Sequence, residues 1–254
     1  EIGVRLVGSE MCIRDSINTR IFFWDSFCYW KISKQRKWFD KSFSFDPVDC
    51  RKYPDLIYQP DFYIGSHVDS CEKKYDISHI GASHIFAYNR IPILLKLKKD
   101  LDEKRLNSYL AVVEIRNPES LKFKMLALTS CKWKKYWCLV RKYKRTYSIV
   151  FDQRIPYEEV VNIESTSHCI IDIPPSKQAG ITIRALEAIA AGKKLITTNR
   201  YIKEQKFYCS ENIAILDPEN PQIDIDFIHS KAKRVNIEYL LSLIHISEPT
   251  RRTP

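Results

Sequence analysis

Gly180, Arg184 and Glu187 recur at i, i+4 and i+7 within residues 174–199, PPSKQAGITIRALEAIAAGKKLITTN, with Thr182 between Gly180 and Arg184. On a helix this spacing gives one face a glycine, a cation and a carboxylate in order outward from the amino terminus. Those types suit a nucleoside diphosphate. Free amides near Gly180 and Thr182, at the positive end of the helix dipole, can receive phosphate oxygens. Arg184 can add a charged, bidentate contact, and Glu187 can accept hydrogen bonds from ribose hydroxyls. The competing reading is an i, i+3 ion pair between Arg184 and Glu187 on a solvated face, worth only about 0.3 to 0.5 kcal/mol. The position of the pair, on a helix that follows a glycine turn and an apolar run, favours a ligand.

Elements must hold that face in place. Arg20 to Trp24, Ser42 to Phe45 and Leu56 to Tyr58 read as strands, with amphipathic helical stretches at Tyr29 to Trp38 and Pro47 to Lys52. A polar linker from Gly65 leads to a second alternation. Its strands are Asp76 to Ile80, Tyr109 to Val113, Tyr147 to Phe151, Cys169 to Ile173, Lys194 to Thr198 and Ile213 to Leu216. Its helices are about Ile85 to Lys104, Pro118 to Trp137, Tyr157 to Glu164 and Ile181 to Ala191, with a short one near Ile202. Apolar runs such as CIIDI and KLITT are those of parallel strands covered on both faces. The expected fold is α/β, a doubly wound, Rossmann-like parallel sheet preceded by the end of a truncated second one. The expected domains are 17–65 and 74–228, with a carboxyl-terminal helix over 229–240. In such sheets ligands bind beyond the carboxyl ends of the strands, so the loops after Ile80, Phe151 and Ile173 are the places to look. Gly81, in IGASH, falls in the first of these loops, where it permits a tight turn with amides open to phosphate. Judged alone, this glycine reads first as a purely structural turn.

The 254 residues carry a formal charge of +10, eight Cys and six Gly. Not all of them read as native. DNA that encodes LSLIHISEPTRRTP (241–254) can be complementary, one base out of frame, to DNA that encodes GVRLVGSEMCIRDS (3–16). Folding offers no reason for such a relation, whereas one oligonucleotide joined to both ends of a DNA fragment does. Residues 1–16 and 241–254 are therefore read as translated sequencing adapter and excluded from fold reasoning, which makes the chain a fragment. Both adapter segments together hold as many Arg as acidic residues, so the charge stands, while Cys falls to seven and Gly to Gly65, Gly81, Gly180 and Gly192. The scattered cysteines, without a C-x-x-C pair, argue against a disulfide framework or zinc site and suit a reduced cytosol. No run is apolar for the length of a membrane span.

SFSFDPVDCRKY, YDISHIGASH, RIPYEEVV and KQAGITIRALEAIAAGKKLITTN resemble bacterial glycosyltransferases of the lipopolysaccharide and capsule type, related to the spore-maturation (CgeB-like) group of GT-B enzymes. The resemblance covers nearly all of residues 20–228. It implies two Rossmann-like domains facing across a cleft, a hexosyltransferase activity, a nucleotide sugar such as a UDP- or GDP-sugar as substrate, and a saccharide or lipid-linked acceptor. Matching donor-site residues are Gly81, Ser83 and His84 in the first loop, Arg154 and Tyr157 near the base, and Gln178, Gly180, Thr182, Arg184 and Glu187 around diphosphate and ribose. Retaining GT-B enzymes place a second Glu eight residues before the ribose Glu; Ala179 stands there, so the stereochemical outcome is open. No D-x-D lies near the donor segment, so neither metal nor cofactor is expected. An inverting reaction needs a general base for the acceptor hydroxyl. Asp25, after RIFFW, is the candidate, with a helix N-cap as its competing role; His84 is a second catalytic candidate, with a satisfied loop histidine as the alternative.

Lys132 to Arg145, KWKKYWCLVRKYKR, interleaves cations with Trp133, Tyr136, Trp137 and Tyr143. A solvated helix face explains it. An anionic membrane surface at the cytoplasmic leaflet is the next reading, since Lys and Arg contribute about 1 kcal/mol each there. Nucleic acid comes last, because no RNA- or DNA-binding motif accompanies the charge. The alternative to catalysis is accordingly a basic α/β protein that binds nucleic acid or a membrane surface.

Overall fold

A computed structural model describes residues 18–29, 32–62, 72–85, 88–233 and 235. Both adapter-like segments and most of the linker lie outside the described residues. The chain divides into a small unit, residues 1–61 with 177–181, and a large unit, residues 62–176 with 182–254.

In the small unit three parallel strands, β1 (Arg20–Phe23), β2 (Lys41–Ser44) and β3 (Leu56–Tyr58), lie in the order β1-β2-β3. The expected helix over 29–38 is a single 3-10 stretch, Ser33–Trp38, with no buried residue to anchor a longer one. Helix α1 (Pro47–Lys52) starts because Asp46 caps it: its Oδ1 accepts from Val48 N at 2.9 Å, and Pro47 supplies a φ ready for the first turn.

The large unit is a six-stranded, wholly parallel sheet of β4 (Tyr75–Ala82), β5 (Ser108–Val113), β6 (Val150–Phe151), β7 (Ser167–Asp172), β8 (Lys194–Thr197) and β9 (Ile213–Ile215). Their order, β6-β5-β4-β7-β8-β9, counts from β4 as 3-2-1-4-5-6, the doubly wound Rossmann arrangement. The expected α/β class and doubly wound sheet are present. Alternate strand residues feed two cores. Ile77, Leu110, Val112 and Ile171 pack with helix α2 (Ile91–Glu103) and with Tyr136, Val140 and Tyr143, while Ile80 and Ala111 face Ile163 on the other side.

The helix expected over 118–137 is two, α3 (Leu121–Thr129) and α4 (Cys131–Thr146). Ser130 breaks it by taking extended backbone, and its Oγ accepts from Trp133 N at 3.3 Å to start α4. Tyr147 to Ile149 stay outside β6. Helix α5 (Tyr157–Ser165) and α6 (Ile183–Ala190) follow. Gly192 ends α6: at φ +68 its N–H donates to Ile189 O at 3.0 Å, and Lys193 N donates to Ala188 O at 2.9 Å, a Schellman closure. A short helix, α7, spans Ile225–His229; of the stretch 229–240 expected as the carboxyl-terminal helix, residues 230–233 and 235 are not helical, and 234 and 236–240 lie outside the described residues.

Candidate functional site

In a doubly wound sheet the strand connections part to opposite faces at one point, and ligands enter there beyond the carboxyl ends of the strands. Here that point lies between β4 and β7. At their carboxyl ends the large unit gathers His79, Gly81, Arg90, Asp172, Thr182 and Arg184, with Glu164 at the end of α5.

Gly81 has a steric task. A Cβ there would stand 2.5 Å from Arg90 Nη1 and 3.2 Å from His79 Nε2, so the missing side chain lets a guanidinium lie against the strand. Arg90 immediately precedes α2, is 6% exposed, and its buried Nε has no hydrogen-bond partner among the described residues. Burial, then the neighbouring Arg184, push its pKa down to about 10; Asp172 acts in the opposite sense. Arg184 Nε lies 3.4 Å from Glu164 Oε1, and its Nη1 lies 4.0 Å from Asp172 Oδ1. A quarter of its side-chain surface remains open. Asp172 is buried, and that raises its carboxyl pKa against the opposing pull of Arg184 and of the Thr182 hydroxyl, which donates to Oδ2 at 2.8 Å.

His79 completes the cluster from inside β4. Its Nδ1 donates to Ile171 O at 2.9 Å, which leaves Nε2 as a buried acceptor with no partner among the described residues. Burial first, then Arg184 and Arg90, hold its pKa well below 6.5. The sign of the stability effect follows: the unfolded imidazole takes up a proton near pH 6.5 while the folded one resists it, so stability is full above that pH and falls below it. Thermal melts are expected to show a loss of up to about 1.4 kcal/mol per pH unit below pH 6.5 from this group. His79→Asn, which keeps a donor to Ile171 O, should flatten the slope; an unchanged slope would assign it elsewhere.

The residues singled out from sequence fall in several places. Gly81, Thr182 and Arg184 belong to the cluster, and Glu187 lies half-buried on α6, three residues beyond Arg184. Thr182 stands one residue before the helix as its N-cap, and its Oγ1 accepts from Ala185 N at 3.2 Å. Ser83 is turned aside: its hydroxyl makes a short hydrogen bond to the buried Glu114, which also accepts from Tyr136 Oη at 3.1 Å. His84 is exposed in left-handed backbone (φ +44), and its carbonyl accepts from Tyr88 N at 2.8 Å. Arg154 and Tyr157 are exposed beyond β6, two strands from β4, or about 10 Å at ordinary strand spacing.

Gln178 and Gly180 go with the small unit, so α6 does not carry Gly180. A Cβ on Gly180 would collide with the Phe45 ring, Ala179 N donates to Asp46 Oδ2 at 3.1 Å, and Gln178 Nε2 donates to Gly180 O at 3.2 Å. Asp25 is exposed in a bend after β1 and caps no helix. Among the described residues of that unit the buried carboxylates are Asp46, Asp49 and Asp61.

His79, Arg90, Glu164 and Asp172 were not among the residues singled out. A signal existed for each: histidine inside an apolar strand, arginine directly before an apolar helix, and carboxylates at the ends of α5 and of a buried strand. Among the described residues no cluster of three His, Cys, Asp or Glu could hold a metal ion, and no helix is long and apolar enough to cross a membrane.

No protein-family model matches the sequence, and no curated protein matches it significantly. Among solved structures the chain is similar to a sucrose-phosphate synthase from Thermosynechococcus elongatus (TM-score 0.47, 11% identity, covering 88% of this chain and 59% of that one). It is also similar to the glycosylation associate protein (Gap123) complex from Streptococcus agalactiae (0.41, 11%, 82% and 42%). A third is the GtfA/B complex (0.41, 12%, 88% and 42%). The chain thus spans 42% to 59% of the length of these solved chains. What places the large unit among doubly wound folds is its own strand order.

Proposed function

We propose that the chain is part of a GT-B glycosyltransferase whose large unit binds the diphosphate of a nucleotide sugar, for transfer of a hexose to a lipopolysaccharide or surface-polysaccharide acceptor. The observation that carries this reading is the pair of guanidinium groups, Arg90 and Arg184, at the switch point of a Rossmann-ordered sheet, with Arg90 Nε buried and unpartnered. A buried donor without an acceptor is costly, and a phosphate oxygen is the acceptor its charge favours. Arg184 offers the open side, and Glu187, three residues further along α6, is the proposed contact to the ribose hydroxyls. The acceptor would belong to the amino-terminal domain of which β1 to β3 form the end, and Asp25 stays the proposed base there.

Calorimetry with UDP and GDP tests the donor half without an acceptor. Binding of one of them is expected, weakened at least about tenfold by Arg184→Ala and by Glu187→Ala, as loss of one charge-assisted hydrogen bond requires. Affinity unaltered in both variants would remove α6 from the site.

A further inference from the structure

The basic stretch takes a different form in three dimensions from the one its sequence suggests. Tyr136 and Tyr143 are buried, and Trp133 and Trp137 pack on the large-unit core, where Trp137 Nε1 donates to Pro118 O at 2.7 Å. The aromatic rings hold α4 to the sheet. The apolar side chains turned outward belong to α3 instead: Leu121, Met125 and Leu128, at i, i+4 and i+7, are 74%, 60% and 87% exposed. Three long apolar side chains on one helix face at that exposure have no folding explanation.

Charge surrounds them. Residues 121–146 hold nine Lys and Arg and no Asp or Glu, so these two helices account for nearly the whole net charge of the chain. Ridge and charge share a surface, because Leu128 and Ala127 of α3 line one groove of about 710 Å³ with Lys124, Lys134, Trp137 and Arg141. Glu119, just ahead of α3, offsets only part of this through Lys124 at 3.0 Å, Arg141 at 3.5 Å and Arg145 at 3.1 Å.

We infer that α3 and α4 form a docking surface for an anionic lipid bilayer, with Leu121, Met125 and Leu128 entering the headgroup region and the flanking lysines meeting lipid phosphates. The chemistry selects lipid over nucleic acid: single-stranded nucleic acid is held by exposed aromatic rings, and here the rings are turned inward, whereas flexible aliphatic side chains ringed by Lys are what an interfacial helix presents. The surface shares no residue with the cluster at β4 and β7, and the inference does not depend on the donor-site reading.

Co-sedimentation of the full chain with phosphatidylcholine vesicles, with and without phosphatidylglycerol, tests it. Partition is expected only with the anionic lipid and should fall steeply with added salt. The triple variant Leu121→Ser, Met125→Ser, Leu128→Ser, and separately Lys122→Glu with Lys134→Glu, should each weaken it about tenfold or more. Every altered side chain is exposed, and unchanged UDP or GDP affinity, or an unchanged melt, would confirm that both variants fold. The proposal is overturned by absence of partition, by equal partition to neutral vesicles, by indifference to the serine variant, or by an oligonucleotide that binds the same helices and displaces the vesicles.

Discussion

Arg90→Met is expected to abolish nucleotide binding while leaving the large unit as stable as before or more so. The two effects separate because Arg90 has opposite roles in the two states. In the unliganded fold it is a buried cation whose Nε lacks an acceptor and whose nearest charged neighbours include a second cation, Arg184. Each of these costs stability. Methionine keeps the apolar stem that packs beside Gly81 and removes the charge. With a diphosphate present, the same guanidinium becomes a charge-assisted donor, worth about 1.5 to 3 kcal/mol per hydrogen bond. Two such bonds lost would weaken binding about a hundredfold or more. A melt that stays level or rises by a few degrees, beside a calorimetric signal that disappears, is the expected pair of results. A fall in melting temperature with nucleotide affinity intact would make Arg90 a structural partner of Asp172 and sink its role in binding. Gly81→Ala offers a milder form of the same experiment. Its Cβ must displace the end of the Arg90 side chain, so affinity should fall without any change of charge.

How much of this was legible in the sequence varies with the physical cause. The doubly wound sheet could be read because buried parallel strands leave continuous apolar runs, and helices between them leave a 3.6-residue period; both are local patterns. Arg184 and Thr182 could be found because they follow a glycine turn on such a helix. Arg90 and His79 could not be found in the same way. Arg90 meets Gly81 across a loop, and His79 sits in a strand where alternation gives its side no special label. Ser130 shows a further limit: one serine ended a helix that its apolar period would have continued, because a cap is a choice of backbone conformation that periodicity does not record. Lys193 and Lys194 went unremarked for a related reason. They read as the start of a strand, yet both are buried: Lys193 Nζ donates to Ser165 O and Ser167 O at 2.9 Å, and Lys194 Nζ donates to Ser230 Oγ at 2.8 Å. Their partners lie on other elements, beyond any window of sequence.

Gly180 is where sequence and packing compete most directly, and a second large effect is expected there, in the small unit. Asp46 is 1% exposed and holds three separate pieces of chain. Oδ1 caps α1 through Val48 N, while Oδ2 accepts from Ala179 N and makes a short hydrogen bond with the Ser26 hydroxyl. Tyr29 Oη accepts from Lys177 N at 3.0 Å beside them. Asp46→Ala therefore removes a cap and takes the carboxylate acceptor away from a buried amide and a buried hydroxyl, at a combined cost of about 3 kcal/mol. Hydrogen exchange should report it as a loss of protection of about a hundredfold in the amides of β1 to β3, with β4, β5 and β7 unaffected. A uniform loss across both units would show that they unfold as one and that the clamp is global. Gly180→Ala should mimic it, because the added methyl cannot enter without moving the Phe45 ring, which is itself 3% exposed; overpacking of that kind costs about 1 to 3 kcal/mol. A glycine kept only so that its amide can approach a phosphate would tolerate alanine in the unliganded protein and lose nucleotide affinity alone. Loss of protection in β1 to β3 without any nucleotide present would assign Gly180 to packing first, and leave the diphosphate to Arg90, Arg184 and the open end of α6.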